Sequence, residues 1–212
     1  MHMTMKLPLV DTIHLGPRPY AALQNFVHRR HTPTFALLRD LLELQPGETV
    51  VELGCGTGIL AAHFIAHGYD YWGVDLDAER IAAARRLAPG GHFLVADVAD
   101  LPAIPLPRFQ QAFVHGMIHH LDSVLARHVL AQILSLNSHM RLVVIEPYRP
   151  VHWSDNPLGA FFANLDDGKS ILTFDGWRAL MGPSVDVCYS RSLLPRWPVN
   201  FIVARLTGAP VE

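Results

Sequence analysis

The residues whose types and spacing could do chemistry begin in the run Val50-Val51-Glu52-Leu53-Gly54-Cys55-Gly56-Thr57-Gly58-Ile59-Leu60. Glycine at Gly54, Gly56 and Gly58 suits backbone that takes positive φ, or that lies against a ligand with no Cβ between. The spacing restricts which ligand. A dinucleotide turn uses G-x-G-x-x-G, and a phosphate loop needs a Lys-Ser/Thr pair after its last glycine. Here the pattern is G-x-G-x-G followed by Ile59 and Leu60, so neither fits. Glu52, two residues ahead of the first glycine, would repel a pyrophosphate and suits a cationic ligand. Asp75 follows the loop by about 20 residues, the spacing at which one carboxylate accepts hydrogen bonds from both hydroxyls of a ribose. Asp77, just ahead of Ala78-Glu79-Arg80-Ile81, reads instead as a helix N-cap. The pair His119-His120 offers imidazoles that titrate near neutral pH and qualify as general bases.

The elements that must position these groups alternate along the chain. Val50 to Leu53 reads as a buried strand, and Ile59 to His67 as the helix behind the glycine turn, ended by Gly68. Tyr69 to Val74 is a second strand ending at Asp75, and His92 to Ala96 a third ending at Asp97-Val98. Gln110 to His115 is a fourth strand, and Met140 to Ile145 a fifth that ends at Glu146-Pro147. Asp122 or Ser123 caps a helix reaching about Leu136, with Val124, Leu125, Val129, Ile133 and Leu136 as its apolar stripe. The three prolines between Leu101 and Pro107 mark a surface crossover. Ahead of the first strand, Thr32-Pro33 opens a helix over Phe35 to Leu44, with a shorter helical candidate over Tyr20 to Arg30. Val185 to Tyr189 and Val199 to Leu206 supply the last two strands. Strands that end in acids or glycines place those groups along one edge of an open sheet, where α/β folds bind ligands.

Glu52-Leu53-Gly54-Cys55-Gly56-Thr57-Gly58 resembles the first motif of the class I S-adenosylmethionine (SAM)-dependent methyltransferases. The similarity extends through Asp75 and Asp97 to His119-His120-Leu121, a segment like the one after the fourth strand of many bacterial small-molecule methyltransferases, and resumes at Thr173 to Leu180. The resemblance implies a Rossmann-like, mostly parallel seven-stranded sheet with helices on both faces, an antiparallel last strand and a small helical cap. It implies SAM as cofactor, with S-adenosylhomocysteine as product, held by Glu52, Gly54, Cys55, Gly56, Gly58, Asp75, Leu76, Asp97, Val98 and His115. Leu76 would lie on the adenine face, Asp97 would approach the adenine amino group, and the backbone N–H of Val98 a ring nitrogen. His119 and His120 become the catalytic candidates. The Asn/Asp-Pro-Pro-aromatic tetrad of base-methylating enzymes is absent after the fourth strand, and His115 stands where catechol-type, metal-dependent enzymes carry an acid. The acceptor is then a small molecule, methylated on O or N by in-line displacement, with rate arising mainly from positioning. Two alternatives stay open: a SAM-binding enzyme of non-methylating chemistry (cyclase, isomerase or decarboxylase), and a non-catalytic partner subunit.

Composition narrows the remaining choices. A chain of 212 residues suits one methyltransferase domain, with residues 1–30 as an N-terminal cap segment and 148–172 as a substrate-cover insertion. A net charge of −2 argues against a nucleic-acid surface. No apolar run approaches the roughly 20 residues of a membrane span, and no secretory leader opens the sequence. Thirteen histidines raise the question of metal, but His63/His67 and His115/His119 lack an acid or cysteine at ligand spacing, so no metal is expected. Cys55 and Cys188 form no disulfide framework. A cytoplasmic monomer or homodimer acting on a small molecule is the expectation.

Overall fold

The computed structural model describes residues 32–137, 139–157, 171–191 and 201–207. The expected cap segment, the Tyr20 to Arg30 helix and most of the 148–172 insertion lie outside the described residues. Chain order is α1 (Thr32–Leu42), β1 (Thr49–Leu53), α2 (Ala61–Ala66), β2 (Asp70–Asp75), α3 (Ala78–Leu87), β3 (His92–Val95), β4 (Gln111–His115), α4 (Ser123–Ser135), β5 (Arg141–Pro147), α5 (Phe174–Met181), β6 (Val185–Arg191) and β7 (Phe201–Thr207).

The seven strands form one sheet in the order β3-β2-β1-β4-β5-β7-β6. β3, β2, β1, β4 and β5 pair in parallel, and β7 runs antiparallel to both β5 and β6. This is the Rossmann-like sheet with an antiparallel last strand. From β1 the chain winds outward to β2 and β3, then returns to β4 on the other side of β1. The strand order reverses between β1 and β4, and at such a switch point open α/β sheets take ligands beyond the carboxyl ends of the strands.

Both faces of the sheet are covered, which is why its strands read as near-continuous apolar runs. Val51, Leu53, Val114, Leu142 and Val144 pack on one side with Val129 and Ile133 of α4 and Trp177 of α5. Val50, Tyr71, Phe113 and Val143 pack on the other with Phe35 and Leu38 of α1, Phe64 of α2 and Ile81 of α3. The fully buried Trp177 donates its indole N–H to the Pro147 carbonyl at 2.9 Å, fixing α5 over the end of β5. At the opposite end of the sheet, Arg205 bridges Asp186 and Glu43, and Arg141 reaches Glu43 at 3.0 Å, tying the end of α1 to β5, β6 and β7.

Three elements depart from the sequence reading. α2 starts at Ala61, two residues later than expected, because Ile59 and Leu60 still belong to the turn that leaves Gly58 at φ 72°. The buried stripe of α4 is Ala126, Val129, Leu130 and Ile133, while Val124 and Leu136 face outward. Asp122, not Ser123, caps that helix by accepting the N–H groups of Val124 and Leu125 at 2.9 Å, and this sets the phase of the buried face. Finally, the crossover after β3 contains a 3-10 turn over Val98–Ala103, begun by Asp97 accepting the Ala99 N–H and holding Pro102 within it.

Candidate functional site

β1 runs out into the glycine turn at the switch point. Gly54 and Cys55 both donate their N–H groups to the Val74 carbonyl, at 2.8 and 3.0 Å, folding the turn toward the end of β2. Gly54, Gly56 and Gly58 have φ of 79°, 53° and 72°, all in the left-handed region. Their surroundings differ. A Cβ on Gly54 would sit 2.4 Å from Met117 Cγ, and one on Gly58 2.8 Å from Ala84 Cβ. A Cβ on Gly56 would meet nothing within 4 Å. Gly54 and Gly58 are therefore held by packing against the protein, whereas Gly56 presents bare backbone to open space.

Asp75 closes the turn from β2. Its Oδ2 accepts the Gly56 N–H at 2.7 Å and its Oδ1 accepts the Asp77 N–H at 2.9 Å. Each carboxylate oxygen keeps a second acceptor direction, so the group braces the loop and still can take ribose hydroxyls. Asp77 caps α3, accepting the N–H groups of Glu79 and Arg80. Between them Leu76 projects outward with 68% of its surface exposed, an apolar platform beside the carboxylate. The Ala96 N–H donates to the Asp75 carbonyl at 3.0 Å, which brings Asp97 and Val98 next along the same edge.

Glu52 lies inside, behind the loop. It is buried, faces Gly73 and Phe113 in the sheet register, and accepts a hydrogen bond from the Tyr71 hydroxyl. Burial above all, offset in part by the Tyr71 bond and aided by the charge of Asp75, pushes its carboxyl up to about 8. The same burial, with Glu52 and Asp75 nearby, keeps the Cys55 thiol protonated.

The other side of the switch point comes from β4 and β5. His115 pairs with Ile145 in the register, so Gly116 and Glu146 follow together at the strand ends. Glu146 is fully buried. Its Oε1 accepts the N–H groups of Met117 and Ile118 at 2.9 and 2.7 Å, and its Oε2 lies 2.6 Å from His119 Nδ1. The His119 and His120 rings are 4.1 Å apart, His119 buried and His120 exposed. His115 lies 6.3 Å from the Phe201 ring, and burial holds its imidazole below the ordinary range.

The strand ends thus carry Glu52, Asp75, Asp97 and Glu146 on β1, β2, β3 and β5, with histidines on and after β4. Residues 50–137, from β1 to just past α4, match the methyltransferase domain family. That span is similar to a methyltransferase domain.

The ribosomal protein L11 methyltransferase of Burkholderia thailandensis is 35% identical to this chain over 95 residues, covering 41% of the chain. The match spans only 31% of that protein's length. The structure of a TehB-like SAM-dependent methyltransferase from Corynebacterium glutamicum superposes with a TM-score of 0.60 at 19% identity, over 89% of this chain and 99% of that one. Magnesium protoporphyrin IX methyltransferase of Synechocystis, solved with S-adenosylhomocysteine, gives 0.64 at 18% identity, over 89% and 87%. These two likenesses concern the fold.

The structure brings Gly54, Cys55, Gly56, Asp75 and Leu76 together around the glycine turn, with Asp97 and Val98 adjoining. It places His115, His119 and His120 at and after the end of β4. Glu52 points into the interior and reaches the loop through β1. Gly58 serves loop packing. Sequence reasoning assigned no role to Tyr71, Met117 or Glu146. Glu146 had a signal: a carboxylate that continues the buried run Leu142-Val143-Val144-Ile145 must find partners, because an unpaired buried charge is too costly.

Proposed function

We propose that this protein is a SAM-dependent methyltransferase that moves a methyl group to an oxygen or nitrogen of a small-molecule acceptor. The observation that carries the cofactor half is the Gly56–Asp75 pair. A glycine whose absent Cβ leaves open space lies 2.7 Å from a carboxylate that keeps acceptor capacity, beside an exposed leucine. That set fits an adenosyl group: Asp75 for the ribose, Leu76 for the adenine face, and Asp97 with the Val98 N–H for the adenine edge. Gly54, Cys55 and Gly56 complete the cofactor side, with Glu52 and Gly58 supporting the turn from behind and His115 contributing from the end of β4. SAM bound there supplies an electrophilic methyl group on a sulfonium.

The chain's own contribution is then placement and charge. Asp75 presents negative potential to a cationic ligand, and Glu52 adds to it only as its carboxyl ionises near 8. Met117, pressed on Gly54, fixes how closely the turn after β4 approaches the glycine loop. Holding the acceptor atom in line accounts for most of the rate. His120, exposed after the end of β4, orients the acceptor or takes its proton where one must leave. His119 is the second candidate. We assign the described elements to one methyltransferase domain. It works in the cytoplasm as a monomer or homodimer, without nucleic acid or membrane.

The test is incubation with methyl-labelled SAM and panels of phenolic, carboxylic and amine acceptors, read by product mass. Label appearing on an acceptor, dependent on Asp75, supports the reading. SAM binding with no label on any acceptor, but with a rearranged or decarboxylated product, would assign the non-methylating chemistry instead.

A further inference from the structure

Strand order gives the glycine turn and its neighbours a direction. The order β3, β2, β1, β4 brings Asp97, Asp75, Gly54 and Met117 to consecutive strand ends across the sheet. An adenosyl group has an order too: the base joins the ribose, and the ribose carries the sulfur through C5′. In the SAM reading above, the adenine edge meets Asp97 and the ribose meets Asp75. The sulfur and its substituents then fall beyond the ribose, toward the turns that leave β1 and β4. Those turns meet through one side chain. A Cβ built on Gly54 would strike Met117 Cγ and lie 2.6 Å from its Cβ and 3.8 Å from its Cε. The Met117 side chain therefore lies along Gly54, in the space that a side chain at position 54 would use.

Both turns are fixed around that contact. Gly54 is held by its N–H on the Val74 carbonyl at 2.8 Å. Gly116 takes φ 67° directly after β4 and donates its N–H to the Ile145 carbonyl at 2.9 Å. The Met117 N–H donates to Glu146 Oε1 at 2.9 Å, and the Met117 carbonyl accepts the His120 N–H at 3.0 Å. The backbone that carries Met117 is thus pinned, while its side chain is half-buried and faces the glycine turn. An unbranched thioether fills an irregular gap and offers no strong polar contact. What Met117 contributes there is volume.

We propose that Met117, lying along Gly54, is the residue that limits the size of the group carried on the cofactor's sulfonium, so that the site takes a methyl group and rejects longer alkyl chains. The proposal rests on the SAM reading above. An apolar wall discriminates by volume, and one extra methylene against such a wall is worth roughly 10- to 200-fold.

Calorimetric titration of the full chain with S-adenosylhomocysteine, SAM and the S-ethyl analogue of SAM reads this wall without any turnover. Wild type is expected to bind SAM roughly tenfold or more tightly than the S-ethyl compound. Met117→Ala is expected to bring those two affinities within about threefold of each other. Its affinity for S-adenosylhomocysteine, which carries no alkyl group beyond the sulfur's own two chains, should stay within about threefold of wild type. Met117→Leu, close in volume, is expected to keep the wild-type ratio. The ratio measured within one protein is decisive, because damage to the fold or to the glycine turn weakens all three ligands together. If Met117→Ala does not fold, Met117→Val makes the same comparison with less volume removed. Equal binding of SAM and the S-ethyl compound by wild type overturns the proposal, as does a ratio that the smaller side chain leaves unchanged. Absence of S-adenosylhomocysteine binding to wild type overturns the SAM reading and the proposal with it, a result distinct from binding without discrimination by size.

Discussion

Asp75 Oδ2 accepts the N–H of Gly56 at 2.7 Å, joining the end of β2 to the tip of the glycine turn. The carboxylate therefore has two roles, brace of the loop and acceptor for a ribose. Asp75→Ala removes both. Each lost charge-assisted bond weakens S-adenosylhomocysteine binding by roughly 1.5–3 kcal/mol, less whatever water restores. Calorimetry should show affinity down at least tenfold with the circular dichroism spectrum unchanged. An unaltered dissociation constant would mean that Asp75 only braces the loop.

The glycines separate packing from ligand contact. Gly54→Ala puts a Cβ 2.4 Å from Met117 Cγ at φ 79°, so it combines a clash with left-handed strain. The expected destabilisation is roughly 2–5 kcal/mol. Gly56→Ala meets no atom and carries only the conformational cost, about 1–2 kcal/mol, but its methyl fills the cradle. Thermal melts should rank Gly54→Ala well below Gly56→Ala in stability. Gly56→Ala should lose cofactor affinity while it still folds.

Glu52 gives stability a pH dependence of defined sign. Its folded carboxyl ionises near 8 against an ordinary value of 4.5. Between these pH values the folded state holds a proton that the unfolded chain has released. Its contribution is thus fully present below about 4.5 and is lost as pH rises through about 8, by on the order of a few kcal/mol in all. Glu52→Gln cannot ionise. Melting temperatures of the variant relative to wild type should rise across that window and level off above it. A cationic ligand favours the ionised form, so SAM should bind wild type more tightly as pH rises toward 8, and Glu52→Gln without that trend.

His119 and His120 differ in what they support. His119→Ala leaves buried Glu146 without its imidazole partner, which costs roughly 3–5 kcal/mol by analogy with broken buried pairs. In a domain of this size that lowers the melting temperature by roughly 6 °C or more. His120 is exposed, and its alanine variant should melt like wild type while losing turnover. Equal melting of both variants would contradict the buried pairing of His119 with Glu146.

The sheet and the meeting of the glycine turn with Asp75 were legible in the sequence because they follow from local rules. Alternating glycines ask for left-handed backbone, Asp75 ends a strand at a fixed distance from them, and Asp77 stands at a helix start. The acceptor side was not, because its logic is tertiary. Glu146 and His119 are 27 positions apart, and nothing local shows that β4 and β5 end side by side. The same limit applies to Glu52. Its spacing suggests a ligand contact, whereas the sheet register puts it opposite Gly73 with Tyr71 as its partner. The α4 stripe was misread by including Val124 and Leu136, since apolar residues at helix ends satisfy the period without facing the core.

The most direct test of the central claim is titration of wild-type protein with S-adenosylhomocysteine by isothermal calorimetry, repeated with NAD and ATP. Binding at one site per chain, competed by SAM and unaffected by NAD or ATP, is the expected result. No heat with S-adenosylhomocysteine, or stabilisation by NAD equal to it, would contradict the assignment of the Gly56–Asp75 turn to an adenosyl ligand.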